Sequence, residues 1–266
     1  MKRVVIYLIL FVFIGAGEAY SQDSSSIYRK IDYVRVDTDQ ITPFLNTTTN
    51  KLKEAYQQLV DDGELNGWQL YYVKYPGGDK TPYNFISIVS ASDLAQFEDV
   101  FTSIGNRAFS PLFPASSDMS EASENKADLV KSELWRIEER MYGSDDALSS
   151  EYFQIDYMNV MNGRGSDYLM LEHELARPIH KRRMEKGIMA GWEVYSLISP
   201  GGLSYGYNYA TGNHYNSLSN LEYSFDDEII NQNVGTDTNI PELFNTVYST
   251  RDHIRTILSK MVVHTN

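Results

Sequence analysis

The chain has 266 residues, 42% hydrophobic and 22% charged, enough apolar material for one large packed domain or two modest ones. A net charge of -13 works against phosphate backbones and anionic surfaces, so nucleic acid and membrane are not expected as partners. Cysteine is absent, which removes disulfides, thiol nucleophiles, iron–sulfur clusters and cysteine zinc sites.

Lys2 and Arg3 precede an apolar run from Val4 to Gly17, and Ala19 and Ser21 put small residues just before Gln22. That is the layout of a secretory signal peptide over residues 1–21; the run is short of the roughly 20 residues that span a bilayer. The mature chain is expected to be exported, periplasmic or secreted, and free of the membrane after cleavage. A first strand follows in "YRKIDYVRV", where apolar and polar residues alternate. A helical stretch over about 42–62 ends at Gly63, the place of a C-cap. "GWQLYYVKYPGG" then reads as a strand and a Pro-Gly-Gly turn, with another strand near 83–90 and a second helix from about Ser92. After a polar loop over 106–127, "ADLVKSELWRIEERM" is the last strand of this series. Residues 143–150, "GSDDALSS", read as a linker.

The series then runs again. Tyr28, Ile31, Asp32, Tyr33 and Val36 recur at Tyr152, Ile155, Asp156, Tyr157 and Val160, a constant separation of 124 residues (152 − 28). The same separation carries Gly63, Trp68 and Tyr71 onto Gly187, Trp192 and Tyr195, and Tyr83-Asn84 onto Tyr207-Asn208. The second copy repeats the elements: a helix over about 166–186, a strand in "GWEVYSLISPGG" and another near 205–211. A helix from about Ser217, an excursion over 231–248 and a last strand "RDHIRTILSKMVVHTN" complete it. The fold class is α+β: two tandem ferredoxin-like βαββαβ repeats, 22–142 and 151–266. Each four-stranded sheet leaves one face open, and two such faces can bury each other.

The "IDYM" first strand, the "RPIHKRR" helix and the "GW" that follows it together resemble the dimeric α/β barrel superfamily, in a NIPSNAP-like form. The resemblance covers both halves of the mature chain and implies an intramolecular barrel. It implies a spread of functions: cofactor-independent monooxygenases, haem-handling enzymes, stress-response proteins and others.

The candidate site residues come from four places. On the helix 166–186, Tyr168, Leu171, Leu175 and Ile179 form the apolar stripe, so His173, Arg177, His180 and Met184 fall on the far side. His180 and His173 could be acid–base groups or ligands there, or lie on a solvated face; ideal helical geometry favours the solvated face. Pro178 should bend this helix, and the first copy has Glu54 at that position. Asp32 and Asp156 sit mid-strand between large apolar residues; if both face the interior they form a related carboxylate pair suited to proton transfer, and otherwise they are bonded strand acids. Tyr205, Tyr207 and Tyr209 alternate and should share one face of a strand, which could line a cavity. Asn208, Asn213 and His214 give that end of the second copy a more polar character than "YNFISIVSA" gives the first. Trp68 and Trp192 should wedge each helix against its sheet.

The leading reading is therefore an exported small-molecule-binding barrel. Asp156 and His180 are its candidate catalytic residues, and Tyr205, Tyr207, Tyr209, Asn208, His214 and Asp32 its candidate ligand-binding residues. The expected ligand is small and apolar or aromatic. No metal site is expected, and the cofactor stays open. The alternatives are a cofactor-independent monooxygenase-like or haem-handling enzyme, and a structural or oligomerising scaffold. A haem would want one histidine projecting into a pocket.

Overall fold

The computed structural model describes residues 27–77, 82–98, 127–222 and 239–265. The expected signal peptide and nearly all of the loop 106–127 lie outside the described residues. The strands are β1 (Ile27–Val36), β2 (Gly67–Lys74), β3 (Phe85–Ala91), β4 (Ala127–Tyr142), β5 (Tyr152–Val160), β6 (Gly191–Ser199), β7 (Tyr209–Tyr215) and β8 (Arg251–His264). They close into one antiparallel barrel in the order β1-β3-β2-β8-β5-β7-β6-β4. Within the first half the order is β4-β1-β3-β2, and within the second it is β8-β5-β7-β6. Two seams, β2 on β8 and β4 on β6, join the halves. Closure leaves no free sheet edge.

Side-chain alternation sorts each strand between two cores. Ile31 and Tyr33 of β1, and Phe153, Ile155 and Tyr157 of β5, point into the barrel, where Trp135, Tyr71 and Tyr195 meet them. The lumen is packed to the point that Gly212 is required: a Cβ there would lie 2.8 Å from Phe153 and 2.9 Å from Tyr195. The outer face of each half is covered by its own helical layer and has a separate core.

That layer is a broken helix in both halves. In the first, α1 (Ile41–Thr47) passes through a π segment, Thr48–Leu52, into α2 (Lys53–Asp61). In the second, α3 (Gly165–Leu171) passes through Glu172–Ala176 into α4 (Arg177–Glu185). The expectation that the bend belongs to the second half alone is corrected: both halves have it, at the same offset, and only one has the proline. In the first half Thr48, Thr49 and Asn50 bond back to the carbonyls of Phe44, Leu45 and Asn46 at 2.6–2.8 Å, which competes with the helical ladder. In the second, Pro178 cannot donate to the carbonyl of Glu174. Both helices end as read from sequence, with Gly63 at φ +74 and Gly187 at φ +70. The next amides return to Leu59 and Arg183, which satisfies the last carbonyls.

Three other expectations change. Residues 203–205 form a 3-10 turn and β7 starts only at Tyr209, because Gly202 and Gly206 take positive φ and break the strand. The segment after Ser217 begins as a 3-10 turn, Leu218–Glu222, and the rest of the helix expected there lies outside the described residues. A helix, α5 (Ile240–Thr250), lies inside what read as a loop excursion; Asn239 caps it by accepting from the Glu242 amide at 3.3 Å. The linker 143–150 is tied down, since Gln69 Nε2 donates to the Leu148 carbonyl at 2.7 Å.

Candidate functional site

The helical layers of the two halves are built on the same positions and packed differently. In the first half Tyr56 stacks on Trp68, centroids 4.5 Å apart and rings within 8° of parallel, and Leu52, Phe44, Val89 and Phe97 fill the space around them. At 124 residues' separation the second half has His180 for Tyr56, Ala176 for Leu52, Asn213 for Val89 and Leu221 for Phe97. Each exchange is smaller or more polar. The result is a cavity of about 310 Å³ between α3–α4 and the outer face of β5 and β7.

Its walls are mixed. Met158, Leu171, Leu175, Ile179, Leu221 and Val247 supply the apolar part, and α5 contributes through Val247. Asp156, Glu172, His180, Arg183, Asn213 and Arg251 supply the polar part. Asp156 accepts from Gln154 Nε2 at 2.9 Å and Asn213 Nδ2 at 3.0 Å, and from the Thr256 hydroxyl. Burial raises the Glu172 carboxyl to about 7, against the pull of Arg251 and of the nearby Tyr168 hydroxyl. Burial, reinforced by the Arg183 charge, pushes the His180 imidazole down to about 3, so it stays neutral. Its ring lies against Trp192 at 5.2 Å. In the first half Trp68 Nε1 donates to Ser87 Oγ at 2.9 Å; Trp192 Nε1 has no acceptor among the described residues, and Thr211, at the position of Ser87, lines the cavity.

The sequence candidates scatter. Asp156 and His180 share this cavity. The expectation that His180 faces solvent fails because the π segment between Leu171 and Arg177 changes the helical phase, so residues beyond it turn inward. His173 and Arg177, before or at that change, stay outside on Glu139 at 3.0 and 3.2 Å. Asp32 and Asp156 do not form a pair: their inward neighbours turn both outward, each beneath its own helix, and Asp32 is taken up by Lys30 and by Ser132 at 2.6 Å. Tyr205 and Tyr207 point into the lumen, whereas Tyr209 packs outside on Tyr168 at 5.0 Å, so the three do not share a face. Asn208 clamps the Val160 backbone at 2.7 and 2.9 Å, as Asn84 clamps Val36 in the first half, which is a structural use. His214 is fully buried in the lumen on Glu193 at 3.3 Å and reaches no cavity.

Two polar clusters inside the barrel escaped the sequence reading, their one cue being charges at inward-alternating strand positions. At one end Arg29 bonds both carboxylate oxygens of Glu193, at 2.8 and 2.6 Å, with Tyr195, Tyr142 and His214 around them. Burial alone would raise Glu193; Arg29, then His214 and Tyr142, pull it down to about 2. At the other end Glu133 accepts from Tyr33 at 2.7 Å, Lys131 at 2.6 Å, Trp135 at 3.1 Å, and the Tyr205 and Tyr207 hydroxyls. Tyr33 and Tyr157, one from each half, meet there hydroxyl to hydroxyl at 2.5 Å.

Neither a protein-family model nor a curated protein matches the chain. Solved structures do. An anthrone oxidase-like protein superposes at a TM-score of 0.50 with 10% identity, covering 91% of this chain and 93% of its own. A heme-binding protein from Thermus thermophilus gives 0.48 at 9% identity, covering 89% and 91%. A chlorite dismutase variant from Candidatus Nitrospira defluvii gives 0.44 at 9%, covering 88% and 90%. The likeness is one of fold. The eight-stranded antiparallel barrel is the architecture of the dimeric α/β barrel proteins.

A haem does not fit these residues. His180 is the one histidine on the cavity wall, and its Nδ1 faces Arg183 Nη1 at 3.3 Å. Arginine only donates, so Nδ1 must accept and the ring proton sits on Nε2. A histidine that binds iron needs the reverse, with the distal nitrogen donating to a carboxylate or carbonyl. Among the described residues no group of three metal-ligating side chains converges either.

Proposed function

We propose that the protein binds a small, largely apolar molecule with a hydrogen-bond acceptor in the cavity of its second half. The observation that carries this reading is the internal comparison: one scaffold, filled by Leu52 and Tyr56 in one half and hollow at Ala176 and His180 in the other. A void of that size costs several kcal/mol relative to a filled core, so its retention calls for a use. At about 310 Å³ it lies at the small end of ligand sites. Arg251 on the wall is a donor for that acceptor; the Trp192 N–H, buried without an acceptor among the described residues, is not on the wall itself and lies against the His180 ring, which is. Glu172, exchanging its proton near neutrality at the wall, adds an acid–base group to the site and supports the enzyme alternative over a plain carrier.

The test is to give the second half the first half's leucine. Ala176→Leu should abolish the saturable fluorescence enhancement of the uncharged probe N-phenyl-1-naphthylamine that is expected of the parent protein. It should leave stability unchanged or raise it by about 0.5–2 kcal/mol, as cavity filling does. Equal dye binding by the variant would remove the cavity as the binding site.

The finer architecture belongs to the same proposal. Two tandem ferredoxin-like repeats are supported by the 124-residue offset, which extends beyond the matched motifs to Lys131 and Arg255 and to both π segments. The NIPSNAP-like form rests on "IDYM", "RPIHKRR" and the "GW" that follows. Export rests on residues 1–21, and N-terminal sequencing of protein recovered from its host should read Gln22 first; a start at Met1 would exclude cleavage.

A further inference from the structure

The Glu133 end of the barrel is a second place where the two halves differ, on the opposite face of the sheet from the cavity. Lys131 on β4 and Arg255 on β8 stand 124 residues apart and both reach into the lumen. Lys131 Nζ lies 4.0 Å from the Tyr33 centroid and 5.1 Å from that of Tyr207; the Arg255 guanidinium lies 4.8 Å over Tyr157 and 5.6 Å from Tyr207. Lys131 Nζ also lies 5.8 Å from the Tyr157 centroid, so the two cations share two tyrosines, Tyr157 and Tyr207. Among the described residues a single carboxylate serves them. Glu133 is fully engaged by Lys131 and its ring of donors, and the position matching Glu133 in the second half is Ile257.

Arg255 is left over. Among the described residues it forms no ion pair and no hydrogen bond, only its contacts with tyrosine faces, and its Nε is buried without an acceptor. The Tyr83 hydroxyl, 2% exposed and packed on Tyr33 at 4.7 Å, is also buried without a partner. Each feels the other electrostatically: Arg255 holds Tyr83 down against burial, which still takes it up to about 12. Buried donors with no acceptor are costly, and a guanidinium in a low-dielectric wall costs most. Lys131, Arg255 and Tyr205 remain partly exposed, so this end of the barrel is open to solvent.

We propose that the barrel mouth binds a small oxyanion, a carboxylate or a phosphate, on Arg255 with the Tyr83 hydroxyl as second donor and Lys131 as a neighbouring charge. The guanidinium fork suits two oxygens of one anion, and the tyrosine faces around it suit an aromatic or otherwise flat body. In a chain of net charge -13 this pair of inward cations is a local exception that draws anions to one end of the barrel.

The test is calorimetric titration of the mature full-length protein with sodium benzoate and, separately, sodium phosphate at fixed ionic strength. Saturable binding of either is expected, with benzoate alone assigning a carboxylate ligand and phosphate alone a phosphate. Arg255→Gln should weaken it by about tenfold or more, the ratio expected when one charged hydrogen-bond partner is lost. Tyr83→Phe, which removes only an unpartnered hydroxyl and so should leave the circular dichroism spectrum unchanged, should weaken it to a lesser degree. Ala176→Leu should leave it untouched, which separates this site from the cavity. Absence of saturation by both anions in the millimolar range, or equal affinity in the parent, Arg255→Gln and Tyr83→Phe proteins, would overturn the proposal.

Discussion

Arg29→Met is expected to lower the unfolding free energy by about 3–5 kcal/mol, the range for removing one partner of a buried ion pair. Arg29 on β1 is 2% exposed and Glu193 on β6 is fully buried, so the carboxylate left behind has no solvent to turn to. The pair also reaches across β4, which lies between those strands in the barrel, and so holds the two halves together. His214, Tyr195 and Tyr142 would still donate to Glu193, but without Arg29 burial dominates and the carboxyl takes up a proton. With Arg29 present the contribution of Glu193 is complete above about pH 4.5 and is lost as pH falls towards 2; in Arg29→Met the buried carboxyl is held neutral, so the sign reverses and stability should fall as pH rises above about 4.5. Urea unfolding at pH 7 and pH 4 reads both effects. A double substitution, Arg29→Met with Glu193→Leu, should recover much of the loss, because two apolar groups leave no orphan charge. A single-variant loss under about 1 kcal/mol would mean that solvent reaches the pair.

Why this pair escaped sequence reading is instructive beside what did not. Gly63 and Gly187 at helix ends, and Trp68 and Trp192 as wedges, are local signals, and the structure places these as read. Arg29 and Glu193 lie 164 residues apart with no motif around either, and the only cue was a charge at an inward-alternating position. Lys131 and Glu133 carried the same cue in "ADLVKSELWRIEERM", where the charges share a face with Trp135. His180 failed for a different reason. A phase of about 100° per residue assumes an unbroken α-helix. Five π-helical residues intervene, and they are not written in any composition the period can detect. The comparison that exposes the cavity, Tyr56 against His180 and Leu52 against Ala176, was available in the aligned halves. It means little until both residues are known to face the same sheet.

The cavity wall makes a second large prediction, and it concerns pH. Glu172 and His180 are both buried and are shifted in opposite directions, to about 7 and about 3. Glu172 is faced by Arg251 from β8, Tyr168 from α3, Glu139 from β4 and Asp156 from β5; His180 is faced by Arg183 on its own helix and by Trp192. Between about pH 4.5 and 6.5 the folded protein holds a proton on Glu172 and none on His180, and the unfolded chain holds one on His180 and none on Glu172. The two states bind the same number of protons at these sites, so the pair contributes almost no pH slope to stability. Each single variant should expose one hidden half. In Glu172→Gln the unfolded state carries the extra proton, so stability should rise with pH by about 1.4 kcal/mol per unit across that window. In His180→Tyr, which restores the residue of the first half, the folded state carries it. The stability from neutral Glu172 is then fully present below about pH 4.5 and is lost as pH rises through 7, with a slope of about the same size and opposite sign. Urea midpoints taken at about pH 4.5, 5.5 and 6.5 for the three proteins would show a flat line between two crossing ones. Parallel lines would mean that neither group is buried as charge, and that the cavity wall is wet.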